Sequence, residues 1–371
     1  MTNKIQTTHV GSMPRPQEVV DMLFAEDKGS LDASQQAEYD AIMTRNVADI
    51  VSKQVSAGVD IPSDGEMSKI SYATYIRHRL TGFEISDTPP PRATPKDLDD
   101  YPEYRDRLAS AGGTPKYHRP VCVDAITVKD MAPLKKDIAN MKAAMAAAGT
   151  DQGFMNAASP GVVAVFQPND YYQSHQAFLE ALAEVMKVEF EMIHAAGLTL
   201  QVDCPDLAMG RHIKFRDVDD ATFVKNAEIQ VEALNYALQN IPAESVRMHL
   251  CWGNYEGPHN HDIALDKIMP TVFKIKCSGL QFEASNPRHA HEWEVWAAAD
   301  IPEDKVLIPG VIDTTTNFVE HPDLVAQRIL NFTNIVGRDR VIAGTDCGFG
   351  TFAGFGAVHP SICWAKLEAL S

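Results

Sequence analysis

His249 and Cys251 stand two residues apart in a strand-like run, 246–252, so both side chains leave the same face. A neutral imidazole and a thiolate are good zinc ligands. An isolated His-x-Cys on a strand is also what two ordinary buried residues look like, since both types are at home in cores. Glu283 and Cys347 change the weight of the observation, because each closes a later strand-like run. Together the four offer two sulfurs, one nitrogen and one carboxylate oxygen, at successive spacings of 2, 32 and 64 residues.

Those residues must be positioned by the elements around them. Candidate strands fall at 5–10, 58–62, 121–127, 154–159, 198–203, 246–252, 280–283, 306–312 and 341–345, with helical periodicity at 37–57, 131–148, 173–196, 219–239 and 322–336. Strands alternating with helices predict a parallel α/β architecture, most simply a (β/α)8 barrel of TIM type. Nine candidates for eight positions leave one surplus, and 121–127 is the expected one. A doubly wound sheet competes, but no G-x-G-x-x-G follows the first strand. The stretch 84–120 holds seven of the 22 prolines and little periodicity, and reads as an excursion inserted into a single domain spanning 1–371.

In such barrels the chemistry sits at the carboxyl ends of the strands. Here those ends read His9-Val10-Gly11-Ser12, Asp64-Gly65-Glu66, Gln201-Val202-Asp203-Cys204-Pro205, His249-Leu250-Cys251, Phe282-Glu283 and Thr345-Asp346-Cys347-Gly348. So many ionisable strand ends point to a catalytic barrel.

Composition narrows the class. A formal charge of −17, with 33 basic and 50 acidic residues, offers no basic stripe for nucleic acid. No apolar run of membrane-spanning length occurs, and Met1–Thr8 lacks the apolar core of a secretory signal, so a cytoplasmic protein is expected. Six scattered cysteines then argue for thiols or metal ligands over disulfides. Cys122, Cys277 and Cys363 have no partner at ligand spacing and read as structural.

The separated motifs, with Thr8 to Pro16 at the front and Asp346-Cys347-Gly348 at the back, carry a resemblance over nearly the whole chain. It resembles the catalytic barrel of cobalamin-independent methionine synthase, more closely the short single-barrel branch that includes proteins similar to epoxyalkane:coenzyme M transferase. The resemblance implies a zinc ion held by His249, Cys251, Glu283 and Cys347, which deprotonates a small thiol acceptor for attack on a small alkyl donor. A free thiol with a pKa of ~8.5 is mostly protonated at neutral pH, and a metal removes that proton. Two sulfur ligands keep the bound thiolate nucleophilic, and a weak carboxylate such as Glu283 can yield its place.

The resemblance also implies a substrate pocket: Gly11 and Ser12 for the carboxylate of homocysteine, Glu66 and Asp203 for its ammonium. The aromatic of Trp252, in the loop after the His-x-Cys strand, either walls that pocket or packs its loop. Two departures from the synthases stand out. Where their motif places a histidine that protonates methylfolate, this chain has Thr315, and Cys204 replaces a glutamate. His289 and His291 are the candidate substitute acids.

Three functions follow. The first is zinc-dependent methyl transfer to homocysteine or a related thiol. The second is epoxide opening by coenzyme M or a similar thiol, for which Arg15 or Arg77 would have to bind a sulfonate. The third is a non-catalytic, metabolite-binding zinc barrel. Strand-end chemistry favours the first two, and the ammonium pair favours the first.

Overall fold

The strands, in chain order, are β1 (Phe83–Ile85), β2 (Pro120–Cys122), β3 (Phe154–Ala158), β4 (Thr199–Asp203), β5 (Val246–Leu250), β6 (Gly279–Glu283), β7 (Val306–Ile312) and β8 (Gly344–Thr345). The computed structural model describes residues 4–29, 31–86, 94–110 and 117–371. Strands β3 to β8 form one parallel sheet in sequence order. Almost every residue of β3 to β8 is buried, as expected where both faces of a parallel sheet are covered. The result is a mixed α/β fold built on a parallel curled sheet.

The segments expected as the first two strands make single parallel bridges instead of strands. Thr7 pairs with Ala343 beside β8, Thr8 with Ile61, and Ser63 with Phe154 of β3. The reading of 5–10 and 58–62 as strands is therefore too long. Asp60 explains part of this, because its carboxylate takes the Thr7 amide at 2.8 Å and the Thr7 hydroxyl at 3.0 Å, replacing ladder bonds with side-chain bonds. The surplus candidate does lie outside the parallel sheet: β2 pairs antiparallel with β1.

Helices pack where the periodicity predicted them, with shifted ends. Ala33–Ser56 begins before the apolar stripe because Asp32 and Gln35 form a capping box, the Asp32 carboxylate accepting the Ser34 and Gln35 amides at 2.8 and 2.9 Å. Its buried face presents Ile42, Val47, Ile50 and Val51. His175–Ala195 starts at a Ser174 cap and buries Phe178, Leu182, Met186, Phe190 and Ile193 at three- and four-residue spacing. Shorter helices at Gln17–Asp27, Pro160–Phe166, Leu265–Val272, Trp293–Ala298 and Pro360–Leu370 had no expected counterpart. Among the described residues, no helix is long and apolar enough to cross a membrane.

The expected excursion 84–120 lies partly outside the described residues. Its described parts contain a 3-10 turn, Lys96–Asp99, and a helix, Pro102–Ser110. Register settles where the site forms. Asp203 stands opposite His249, Leu250 opposite Phe282, and Glu283 opposite Gly310, so the carboxyl ends of β4, β5, β6 and β7 share one rim.

Candidate active site

Alternation along β5 directs Arg247, His249 and then Cys251 to one side. Cys347 follows β8 and meets Cys251 across the rim with the two sulfurs 3.8 Å apart. Ligand atoms of His249, Cys251 and Cys347 all lie within 4.8 Å of one another. Two sulfurs on a tetrahedral zinc at ~2.3 Å each are themselves about 3.8 Å apart, so the pair already has zinc spacing. His249 is buried, yet neither ring nitrogen has a hydrogen-bond partner among the described residues. Burial pushes its pKa down to about 3, which keeps the imidazole in its ligating neutral form. An orphaned buried polar group costs roughly 1–3 kcal/mol, a cost that a cation at this point removes.

Glu283 lies beside this trio but not within it. Its Oε1 accepts the Trp252 amide at 2.9 Å and its Oε2 accepts the Asn286 side-chain amide at 2.7 Å. The carboxylate is thus held next to Cys251 by that residue's own neighbour. The donor set fits zinc: two soft thiolates, one imidazole and one tethered carboxylate.

A second group faces the same rim. Glu66 adopts a left-handed backbone (φ +55°), a conformation costing an ordinary residue ~1–3 kcal/mol. It is held there by Asp64, which accepts its amide at 2.9 Å, and by Arg15, which donates to its carbonyl at 3.1 and 2.8 Å. Its Oε2 is buried without a hydrogen bond among the described residues, and the Arg15 guanidinium stands off at 4.0 Å. Asp203 accepts Asn156 Nδ2 at 3.2 and 3.0 Å and Gln201 Nε2 at 2.9 Å. Burial raises Glu66 to about 7 and Asp203 to about 6, and the charge of Asp203 adds to the rise at Glu66. Lys69 and Arg15 oppose the rise at Glu66, and Lys69 and Arg247 oppose it at Asp203, but burial prevails at both carboxylates.

Gly11 and Ser12 adjoin this pair. Gly11 has φ +140°, and a Cβ there would fall 2.2 Å from Asn156 Oδ1. Ser12 is buried against Gly348, whose own Cβ would meet the serine Oγ at 2.0 Å. Tyr72 lies near both groups: desolvation, then the charges of Tyr117, Cys251, Cys347 and Asp203, push its hydroxyl well above the usual tyrosine range.

The remaining candidates sit differently. Trp252 is fully buried; its indole donates to the Ile263 carbonyl at 2.7 Å and stacks on His289 with centroids 4.1 Å apart. His289 faces Glu292 with Nδ1 at 2.9 Å and Asp262 with Nε2 at 3.1 Å. Burial opposes its charge, but those two carboxylates prevail and raise its pKa to about 10. His291 is exposed. Thr315 donates its amide and its hydroxyl to Asp313 Oδ1, both at 2.8 Å. Of the two arginines, Arg77 is bound to Asp27 at 2.7 Å, and Arg15 spans Glu66 and the Gly350 carbonyl.

Sequence reasoning overlooked Asn156, Arg247 and Tyr72, and gave Asp346 no role beyond its place in a motif. A signal existed for two of them. Asn156 is the lone polar residue in Phe-Met-Asn-Ala-Ala, and Arg247 shares the strand parity of His249. Arg247 donates to Gln201 Oε1 at 2.8 Å, to the Thr8 hydroxyl at 3.0 Å and to the His9 carbonyl at 3.0 Å, fixing the β5 face from below the metal ligands.

Comparison with known proteins places this geometry in context. The family described as cobalamin-independent synthase, catalytic domain, matches residues 5–89 and 96–359. Among similar proteins, the methionine synthase of Saccharolobus solfataricus is 24% identical over 349 residues, covering 93% of this chain and 88% of its own. That of Sulfolobus acidocaldarius is 22% identical over 347 residues, covering 93% and 85%. The fold is similar to that of a B12-independent methionine synthase from Shewanella sp. W3-18-1, solved with selenomethionine (TM-score 0.73, 19% identity, 99% and 95% of the two chains). It is also similar to a putative vitamin-B12 independent methionine synthase from Listeria monocytogenes (TM-score 0.65, 18% identity, 99% and 97%).

Proposed function

The chain belongs to the family of cobalamin-independent synthase catalytic domains, and on that premise we propose that it is a zinc-dependent methyltransferase acting on homocysteine or a closely related amino-acid thiol. The observation that carries this reading is the adjacency of a metal-ligand trio and a carboxylate pair. A cysteine–histidine trio with zinc spacing lies on the same rim as a buried carboxylate pair, Glu66 and Asp203, whose pKa values burial keeps raised even beside Lys69. A thiol bearing an ammonium satisfies both. Coenzyme M has no ammonium, so the carboxylate pair speaks against the epoxide reading.

His249, Cys251, Cys347 and Glu283 would hold the zinc, which supplies the positive charge that makes a thiol a thiolate at neutral pH. The protein's own residues then orient the acceptor. Asp203, fixed by Asn156 and Gln201, and Glu66, fixed by Arg15 and Asp64, receive the ammonium as charge-assisted hydrogen bonds. Gly11 and Ser12 receive the carboxylate, and the missing side chain of Gly11 lets Asn156, which holds Asp203, pack directly against it. Holding the sulfur at a fixed distance from the donor removes much of the entropic barrier. The sulfur gains the methyl group, and the donor departs with the bonding electron pair.

The same geometry supports a reading of the donor. Thr315 is tied to Asp313, and a hydroxyl is far too weak an acid to protonate an amine leaving group. His289 holds its proton between two carboxylates. A pre-activated donor, such as a sulfonium, needs no acid and suits these residues.

Two further readings accompany this one. The single bridges at Thr7, Thr8 and Ser63 support reading those segments as two further staves of a barrel with β3 to β8, in one domain spanning 1–371. The test of function is direct: incubation with homocysteine and S-methylmethionine or methylfolate, followed by mass spectrometry. Methionine should form, be lost on chelation and return with Zn2+. Absence of methionine with every methyl donor, in protein carrying zinc, would overturn the proposal.

A further inference from the structure

Outside the cysteine site, a second set of ligand atoms converges. Asp97, His212 and Asp262 bring one atom each to within 4.8 Å of one another. They come from three separate segments: the Lys96–Asp99 turn, the residue after the Met209–Arg211 turn, and the loop between Trp252 and the helix Leu265–Val272. His212 Nδ1 lies 3.0 Å from Asp262 Oδ1 and 3.4 Å from Asp97 Oδ2. The side chains are 0%, 1% and 3% exposed for Asp97, His212 and Asp262 respectively.

Burial of this kind demands satisfied partners, and the partners are incomplete. Neither nitrogen of His212 has a hydrogen bond among the described residues, nor does Asp262 Oδ1. The outer sides of both carboxylates are fully engaged. Asp97 accepts the Tyr255 hydroxyl at 2.6 Å and the His261 amide at 2.8 Å, and Asp262 Oδ2 meets His259 at 3.0 Å and His289 at 3.1 Å. What is left over is Asp262 Oδ1 and the His212 ring, whose Nδ1 faces that oxygen and the Asp97 Oδ2 shared with the Tyr255 hydroxyl. An N–H on Nδ1 would have to choose one oxygen, and neither contact has hydrogen-bond geometry. Ligands ~2.1 Å from one ion lie about 3.0 Å apart at an octahedral right angle and about 3.4 Å apart at a tetrahedral one. The two separations from His212 Nδ1, 3.0 and 3.4 Å, fall within that range.

We propose that Asp97, His212 and Asp262 form a second metal site, which takes a divalent transition-metal ion of the zinc or manganese class. Two carboxylates and one imidazole suit such ions, in contrast to the thiolate-rich site at Cys251 and Cys347. The ion would brace the Asp97 segment against the loop that follows Cys251. This site does not rest on the methyltransferase reading, and its test needs no turnover.

The test uses the C251S/C347S double variant, which removes the thiolate site, titrated with Zn2+ against a competing chelator. One equivalent should bind, X-ray absorption should show only nitrogen and oxygen neighbours, and D97N, H212Q or D262N added to that background should weaken binding at least tenfold. Hydrogen–deuterium exchange on the double variant should slow with Zn2+ in peptides covering 94–99 and 255–263, which makes the answer independent of whether the added substitutions fold. No bound equivalent in a double variant with the wild-type near-UV spectrum overturns the proposal. So does an equivalent that leaves exchange in both peptides unchanged.

Discussion

Asp346 Oδ1 accepts the Ala284 amide at 2.8 Å, so the residue before Cys347 grips the residue after Glu283. The grip continues along the loop, where the Ser285 and Asn286 amides donate to the same carboxylate at 3.0 and 2.9 Å. Asn286 in turn holds Glu283 Oε2. Glu283 and Cys347, carried by different strands, are thereby set by one buried side chain. Gly310 makes room for it, since a Cβ there would fall 2.4 Å from Asp346 Oδ1.

Asp346→Asn should therefore weaken zinc binding by about 10- to 100-fold without removing any ligand. An asparagine cannot accept three amides with both its terminal atoms, so the loop carrying Glu283 loosens. Chelator competition measures the change. Wild-type affinity in the variant would show that Glu283 is positioned by its own strand alone.

Gly11→Ala should lower stability by about 1–3 kcal/mol and raise the KM for homocysteine. The new methyl group enters at φ +140° and collides with Asn156, the residue that holds Asp203. Thermal unfolding and steady-state kinetics report the two effects separately. A variant with unchanged melting and unchanged KM would contradict the crowding at this position.

How much of this was legible in the sequence depends on which interaction sets each residue. The β/α alternation and the convergence of His249, Cys251 and Cys347 were readable because strand parity and strand-end position are local properties. Asp346 was quoted as part of a motif, but its grip on Ala284 spans 62 residues of sequence and is settled only by tertiary packing. His289 illustrates the reverse error of emphasis. Its distance from Glu283 in sequence suggested an acid, whereas Asp262 and Glu292 surround its ring with negative charge. The segments expected as the first two strands make only single bridges, in part because the Asp60 side chain competes for the Thr7 backbone, which no period-two pattern reveals.

His9 gives the fold an acid-side weakness. Its Nδ1 accepts the Gly11 amide at 3.1 Å, so Nε2 carries the hydrogen that faces Gln54 Oε1 at 2.6 Å. Protonating Nδ1 would oppose two N–H groups, and burial lowers the pKa to about 4. The native state thus stays neutral while the unfolded chain charges below its ordinary 6.5. The contribution of His9 is complete above that pH and is lost as pH falls from 6.5 toward 4. Relative to His9→Asn, the wild type should lose on the order of 3 kcal/mol more over that window in urea unfolding. Parallel pH curves for the two proteins would remove the assignment.

The donor reading makes a kinetic prediction at His291. Because that ring is exposed, His291→Ala should leave methyl transfer from a sulfonium donor within about twofold of wild type, and methylfolate should be a far poorer donor than the sulfonium. Methylfolate turnover that matches the sulfonium and collapses in His291→Ala would establish this histidine as the acid after all.

Asp203→Asn separates the role of the carboxylate pair from that of the metal. Asn156 and Gln201 hold Asp203 by hydrogen bonds that an amide can partly keep, so the side chain should stay in place while its charge disappears. Charge-assisted bonds contribute roughly 1.5–3 kcal/mol, which corresponds to a rise of about 10- to 100-fold in the KM for homocysteine. A thiol of similar size without an amine, such as 3-mercaptopropionate, should bind poorly to the wild type and no worse to the variant. The neighbouring Glu66 sharpens the contrast: its pKa is raised partly by the charge of Asp203, so neutralising Asp203 lowers it and leaves one ionised carboxylate for the ammonium. Homocysteine binding should therefore weaken without vanishing, and only Asp203→Asn combined with Glu66→Gln should abolish the preference for the amine. Equal losses for both thiols in the single variant would assign the pair to the scaffold of the rim, and the acceptor would then be a thiol recognised by some other group.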